Sequence, residues 1–312
     1  TGVEGTNNIL VQPGSYTADN GVDGQGILIT KNISVYSRKG TSETTVTAKA
    51  DVNARSFKLH SESVVTTGAV IDGFTITGGH GLLYGGGVYA LGQNSFTIKN
   101  CIIENNTAVE NGGGIYSHTN SDLNITNCVI RANTASSASV GRGGGGIWLW
   151  RTNGIISDST IGGHDVSDQN RGYYGAGIAI WGTAGSYFTI ENCTIKNNRS
   201  DVHGTDGRGG GILAQGYLQE TDVRINNSTI SHNYSRVTGG GIYGRNENAN
   251  CLLTITNSTI SYNEVNWTTN SGAGIRLIGC SGTTIANSEI SYNKVKASGS
   301  GVAGGGIYAI SM

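Results

Sequence analysis

The most constraining feature of this chain is an internal repeat. A glycine-rich triplet followed by an aliphatic residue recurs at Gly87-Val88, Gly114-Ile115, Gly146-Ile147, Gly177-Ile178, Gly211-Ile212, Gly241-Ile242, Gly274-Ile275 and Gly306-Ile307, at intervals of 27 to 34 residues. Between these landmarks lies a second element, seen as Ile98 to Ile103, Ile225 to Ile230 and Ile255 to Ile260. Three residues after its last isoleucine comes an asparagine: Asn106, Asn133, Asn198, Asn233, Asn263 and Asn293. Each repeat therefore holds three short alternating segments, the period of a half-buried strand, and helical periodicity is nowhere sustained. Strands this short cannot bury a face alone; stacked at ~4.8 Å, successive repeats bury one another. The repeat predicts an all-β fold, with about nine coils of three short strands forming a rod roughly 40 Å long. Residues 1–312 are read as one domain, less regular over 1–79 and regular over 80–312.

Independent columns agree on this register. The bend column reads Gly73, Asn100, Asn127, Asp158, Asn192, Asn227, Asn257 and Asn287. Only residues that tolerate a left-handed backbone occur there, and the stacked asparagines predict an amide ladder along the bend. One coil departs from the pattern: its bend residue is Asp158, His164 stands where the second asparagine should be, and Asp165 and Asp168 follow. Asp158, His164, Asp165 and Asp168 are candidates for acid/base work or cation binding, against a simple loop variation.

The five cysteines contain no CxxC and so no zinc pattern. Cys101, Cys128 and Cys193 share an inward column with Ser159, Ser228, Ser258 and Ser288. They read either as small buried thiols or, for Cys101–Cys128 and Cys251–Cys280 in adjacent coils, as disulfides. Among the Asn-x-Ser/Thr sequons, Asn192, Asn198, Asn227, Asn233 and Asn257 fall in inward or bend columns, where a glycan is not expected to fit. Asn32, Asn124, Asn226 and Asn266 are the candidate acceptors, if the source glycosylates.

The pairing of Ile-x-x-Asn with Gly-Gly-Gly-Ile resembles the FxxN and GGA[ILV] repeats of chlamydial polymorphic outer-membrane proteins. More broadly, the chain resembles the secreted right-handed parallel β-helix repeat proteins that share the pectate-lyase fold. Ile9 to Tyr16 and Val70 to Ile76 are similar to the first coils of that group. The likeness implies the fold, a right-handed parallel β-helix. It does not imply autotransport, because no membrane barrel is recognisable. Were the chain a lyase, the resemblance would imply a basic proton abstractor beside carboxylates that hold calcium; otherwise no cofactor or metal is expected.

Function on such a rod must come from outward columns and turns. The residue after each post-glycine aliphatic points outward: Tyr89, Tyr116, Trp148, Ala179, Leu213, Tyr243, Arg276 and Tyr308. Two positions on, the outward column reads Leu91, His118, Trp150, Trp181, Gln215, Arg245, Ile278 and Ile310. Tyr116, Trp148, Trp150 and Trp181, with Tyr173 and Tyr174 in the adjoining turn, are therefore expected to form an exposed aromatic face for glycan or protein. The alternative is that a long turn folds over them. Neither column contains Asp or Glu, which speaks against a glycosidase pair, and Arg245 is the basic candidate should the face be catalytic.

Charged residues make up 13% of the chain and the formal net charge is −1, so no nucleic-acid or anionic-membrane attraction is expected. No stretch approaches the roughly 18–20 apolar residues of a spanning helix. No leader is read at Thr1, and the chain is expected to be mature secreted or cell-surface material. The sequence thus favours a structural or adhesive module that binds glycan or protein and associates with copies of itself or other surface proteins through its strand edges. A polysaccharide lyase or hydrolase is the alternative.

Overall fold

The computed structural model describes residues 7–19, 26–50, 52–60, 67–92, 95–119, 122–137, 141–182, 185–202, 207–216, 221–246, 251–266, 271–296 and 303–310. Three parallel sheets of ten strands each run the length of the rod. The first, here the pre-bend sheet, extends from Asn7–Val11 to Thr284–Ala286, and the post-bend sheet from Gly14–Ala18 to Glu289–Ser291. The glycine sheet, which follows the Gly triplets, extends from Ile27–Ile29 to Ile307–Ile310. A fourth sheet of seven two-residue strands, from Thr107–Ala108 to Lys294–Val295, lies between the post-bend and glycine sheets and was not anticipated.

Register follows the repeat. Ile98 pairs with Ile125, and the line continues through Ile156, Ile190, Ile225 and Ile255 to Ile285. All but the last are fully buried. Because the pleat alternates, the same pairing that stacks these isoleucines turns their neighbours outward. Burying each one stabilises the coil by about 1.5–3 kcal/mol, and every coil carries at least two more such columns.

The bend residues adopt the expected left-handed backbone: φ is 52° at Asn100, 51° at Asn127 and Asp158, and 47° at Asn227. Their side chains, however, face solvent. Amides join there in short runs, Asn127 Nδ2 donating to Asn100 Oδ1 at 2.8 Å and Asn227 Nδ2 to Asn192 Oδ1 at 2.7 Å, whereas Asn257 donates to Asn226 instead. The expected continuous ladder through Asn100, Asn127, Asn192, Asn227, Asn257 and Asn287 is thus replaced by exposed pairs. The continuous buried ladder is the second asparagine column. It runs Asn106, Asn133, Asn170, Asn198, Asn233, Asn263, Asn293, each Nδ2 donating to the next Oδ1 at 2.9–3.1 Å. Each next Oδ1 also accepts from a main-chain N–H in most coils, so the column seals a corner whose peptide groups water cannot reach.

Asn170 corrects the reading of His164 as the substituted ladder residue. The chain leaves the post-bend strand at Ile161, makes an excursion over 163–169 that includes a 3-10 turn at Val166–Asp168, and re-enters the ladder at Asn170.

All five cysteines are free thiols, which is the first of the two readings, and neither possible disulfide is present. Cys101 and Cys128 are neighbouring thiols, as are Cys251 and Cys280. Cys101 Sγ donates to Lys99 O at 3.1 Å and Cys128 Sγ to Thr126 O at 3.3 Å. Ser159 and Ser228 occupy the same column and use their hydroxyls to accept the N–H of Cys128 and Cys193. The column is therefore a place for small groups that satisfy coil-to-coil N–H donors.

Candidate functional site

The candidate site is built on the outer face of the glycine sheet. Before six strands of this sheet, those from Val88–Leu91 to Ile242–Asn246, the chain makes a turn whose residues Tyr84, Asn111, Gly143, Tyr174, Arg208 and Thr238 stack by single parallel bridges. The following glycine then doubles the chain back. At Gly112 φ is +66°, and a Cβ there would lie 2.8 Å from Tyr116 Cβ; at Gly144 φ is +64°, with the same distance to Trp148 Cβ. Only glycine permits both the left-handed turn and this close approach.

The consequence overturns the expectation of an exposed aromatic platform. The turns cover the first outward column, so Trp148 is 1% exposed, and Tyr116, Tyr173, Tyr174 and Tyr243 are likewise buried. With Ala179 and Leu213 they form a second apolar cluster outside the main core. Tyr89 stacks on Tyr116 at 5.4 Å, and Trp148 on Trp181 at 5.4 Å. The aromatic residues there act as packing between sheet and turn.

The second outward column remains partly open. His118, Trp150, Trp181 and Arg245 are half-buried, and Gln215 is buried between the last two. His118 pairs with Trp150, Trp150 with Trp181, Trp181 with Gln215, and Gln215 with Arg245 in direct parallel register. They form one row along the rod, a coil apart at each step. The His118 ring lies 5.1 Å from that of Trp150. Burial, and then the neighbouring Arg151 charge, lower the His118 pKa below its usual value, so its imidazole is neutral at pH 7.

The candidate acid/base coil is not part of this face. His164 and Asp165 sit in the excursion beyond the post-bend sheet, 88% and 73% exposed at the side chain, and contact each other at 2.9 Å. Asp168 folds back to accept the His164 N–H at 3.3 Å and to pair with Arg131 at 3.6 Å. Its carbonyl accepts the Ala132 N–H, and Asn197 Nδ2 ties down the carbonyls of Gly163 and His164. Asp158 is the left-handed bend residue of the same coil. These contacts secure an insertion, and among the described residues no group of three or more His, Cys, Asp or Glu side chains could hold a metal ion.

The sequons also sort differently. Asn192, Asn227 and Asn257 are exposed at the bend, contrary to expectation, while Asn198 and Asn233 are buried in the ladder. Of the four candidate acceptors Asn266 is exposed, and Asn32, Asn124 and Asn226 are half-buried.

Sequence reasoning missed one surface feature. His232, Tyr262 and Tyr292 stack at 5.0 and 4.9 Å on the corner just before the buried ladder, with Tyr292 71% exposed. All three hold left-handed φ of 53–57°, where Asn105 and Asn197 stand in other coils. The available signal was a bulky aromatic at a position that favours asparagine. At the other end of the rod, Asn8, Ser34, Tyr36, Val70, Asp72 and Lys99 line a hollow of about 300 Å³ on the pre-bend sheet.

Comparison with known proteins agrees with this architecture. The solved structure of pectate lyase Pel9A is 17% identical, with a TM-score of 0.53 over 91% of this chain and 70% of that one. The Azotobacter vinelandii mannuronan C-5 epimerase AlgE4 A-module is 12% identical, with a TM-score of 0.52 over 98% of this chain and 91% of that one. At these identities the likeness is one of fold. No curated protein matches the chain in sequence. No helix among the described residues is long and apolar enough to cross a membrane. The family described as "Right handed beta helix region" matches residues 22–144 and 87–266, and the chain belongs to that family of right-handed parallel β-helices.

Proposed function

We propose that this protein is an extracellular, non-catalytic β-helix module that binds a saccharide chain along the row His118, Trp150, Trp181, Gln215 and Arg245. One observation carries the reading: two half-buried tryptophans stand a coil apart in direct register, inside a row that follows the rod axis and ends on hydrogen-bonding side chains. An indole that is half covered keeps its orientation at little entropic cost and still offers apolar area to a sugar ring. A linear chain laid along the rod would meet a new row residue at each coil. Supporting the non-catalytic reading, neither outward column of this face holds a carboxylate, and the Asp158–Asp168 coil lies on a different corner.

The test is calorimetric titration with uronate, sulfated and neutral oligosaccharides. Trp150→Ala and Trp181→Ala should each weaken binding by about tenfold or more. Binding unchanged in both variants would remove the reading. The second reading, a polysaccharide lyase, is favoured by one observation, the neutral His118 on the open face, which is a suitable proton acceptor. Release of unsaturated or reducing ends that disappears in His118→Ala would establish it over the first.

A further inference from the structure

The C-terminal half of the same face holds three arginines, Arg208, Arg245 and Arg276, around Tyr243. Tyr243 stands directly below Arg276 and Arg276 below Tyr308 in the glycine sheet. The Arg276 guanidinium lies 4.2 Å from the Tyr308 ring centre, and the residue is 4% exposed. Arg208, from the covering turn, lies over the rings of Tyr174 and Tyr243 at 5.1 and 5.8 Å. Arg245 is two residues from Tyr243 on the same strand, and all three guanidiniums act electrostatically on that phenol. Burial holds the phenol neutral.

Arg276 Nε and Nη1, Gln215 Nε2 and Trp148 Nε1 are buried without a hydrogen-bond acceptor among the described residues. Every one is a donor. Gln215 pairs in register with Arg245, and Arg276 follows one coil later, so donors and positive charge fall on the same stretch. Stacking on tyrosine offsets part of the desolvation of a guanidinium, but it leaves in-plane N–H groups unsatisfied. Such an arrangement is complementary to a ligand that brings only acceptors and negative charge.

We propose that Gln215, Arg245 and Arg276, with Arg208 at the rim, form an oxyanion-binding site that takes a carboxylate or sulfate group carried by an acidic glycan. The proposal rests on the saccharide-binding row and assigns its charged end. Arg208 and Arg245 are half-buried and meet solvent first, while Gln215 and Arg276 lie deeper.

The experiment titrates the intact chain with a polyuronate oligomer, a sulfated neutral oligomer, the unmodified neutral oligomer and inorganic sulfate, at low and high salt. Acidic oligomers should bind about tenfold or more tightly than the neutral one, and this preference should shrink with salt. The tighter of the two acidic arms identifies the source of the oxyanion. Arg245→Gln should lower acidic-oligomer affinity by about tenfold or more while Arg245→Lys retains part of it. Arg276→Gln should act likewise, and Arg245→Gln, at a half-buried position, keeps the test valid if the Arg276 variant does not fold. Equal affinity for neutral and acidic oligomers, weakened by Trp150→Ala, overturns the oxyanion site and leaves the saccharide reading intact. If no oligosaccharide binds, that reading falls and inorganic sulfate decides the site alone. Saturable sulfate binding weakened in Arg245→Gln sustains it, and its absence overturns it.

Discussion

Replacing Asn233 with alanine tests whether the buried ladder, and not the exposed bend, holds the coils together. Asn233 is fully buried, and its side chain makes four hydrogen bonds. Oδ1 accepts from Asn198 N at 3.0 Å and Asn198 Nδ2 at 2.9 Å, while Nδ2 donates to Ile195 O at 2.9 Å and Asn263 Oδ1 at 3.0 Å. At roughly 1 kcal/mol net per bond, Asn233→Ala should destabilise the fold by about 4 kcal/mol, because it strands partners that no water replaces. Asn227 gives the contrast. It is exposed and donates one side-chain bond, at 2.7 Å to Asn192. Its φ of 47° makes alanine cost about 1 kcal/mol and lets glycine stay within about 0.5 kcal/mol of the parent. Urea unfolding followed by far-UV circular dichroism and tryptophan fluorescence would compare the three variants. Both probes are needed because a solenoid can open locally, and coincident curves license a single free energy. A cost for Asn233→Ala no larger than that for Asn227→Ala would refute the ladder's role.

Gly211→Ala should cost more than about 2 kcal/mol, since its Cβ would lie 2.7 Å from Gly241 O and 3.0 Å from Asn233 Nδ2; Gly40, with open space around its Cβ site, should lose only about 1 kcal/mol for its left-handed backbone, and thermal unfolding compares the two. Burial pushes the Cys193 thiol up to about 11 from 9.0. Above pH 9 the unfolded chain loses this proton first, so the Cys193 contribution to stability should be constant below pH 9 and fall by up to about 2.7 kcal/mol as pH rises toward 11. Cys193→Ser, which places the residue other coils use, should make the alkaline fall in urea midpoints shallower than in the parent. Asp168→Asn should change stability by about 1 kcal/mol at most and leave saccharide affinity unchanged, because its pair with Arg131 is long at 3.6 Å, only half-buried and remote from the glycine sheet. A large loss of affinity in that variant would return the Asp158–Asp168 coil to the site.

The stacking, the inward isoleucine columns and the left-handed bends were legible because each is decided within one coil and then repeated. Alternation sets which side chains point inward, and Asn100, Asn127, Asp158 and Asn227 occupy φ values that few other residues tolerate. A mutation in one coil is therefore read against seven others in the same sequence. The thiol column of Cys101, Cys128 and Cys193 was visible for the same reason, as one of its two readings, although whether neighbouring thiols bond was not.

What tertiary structure alone decided depends on turns of unequal length and on contacts between coils. Asn170 joins the ladder only because the excursion over 163–169 loops out, which simple spacing from Ile161 assigned to His164 instead. Trp148 and Tyr116 point away from the core, as alternation requires, yet are buried, because Gly144 and Gly112 fold the preceding turn over them. Arg208, Arg245 and Arg276 lie far apart in sequence and meet around Tyr243 because one belongs to a covering turn and two to stacked strands. Residue type and period determine which way a side chain points. Whether that direction ends in solvent, under a turn or against another charge is set by the path of the chain around it.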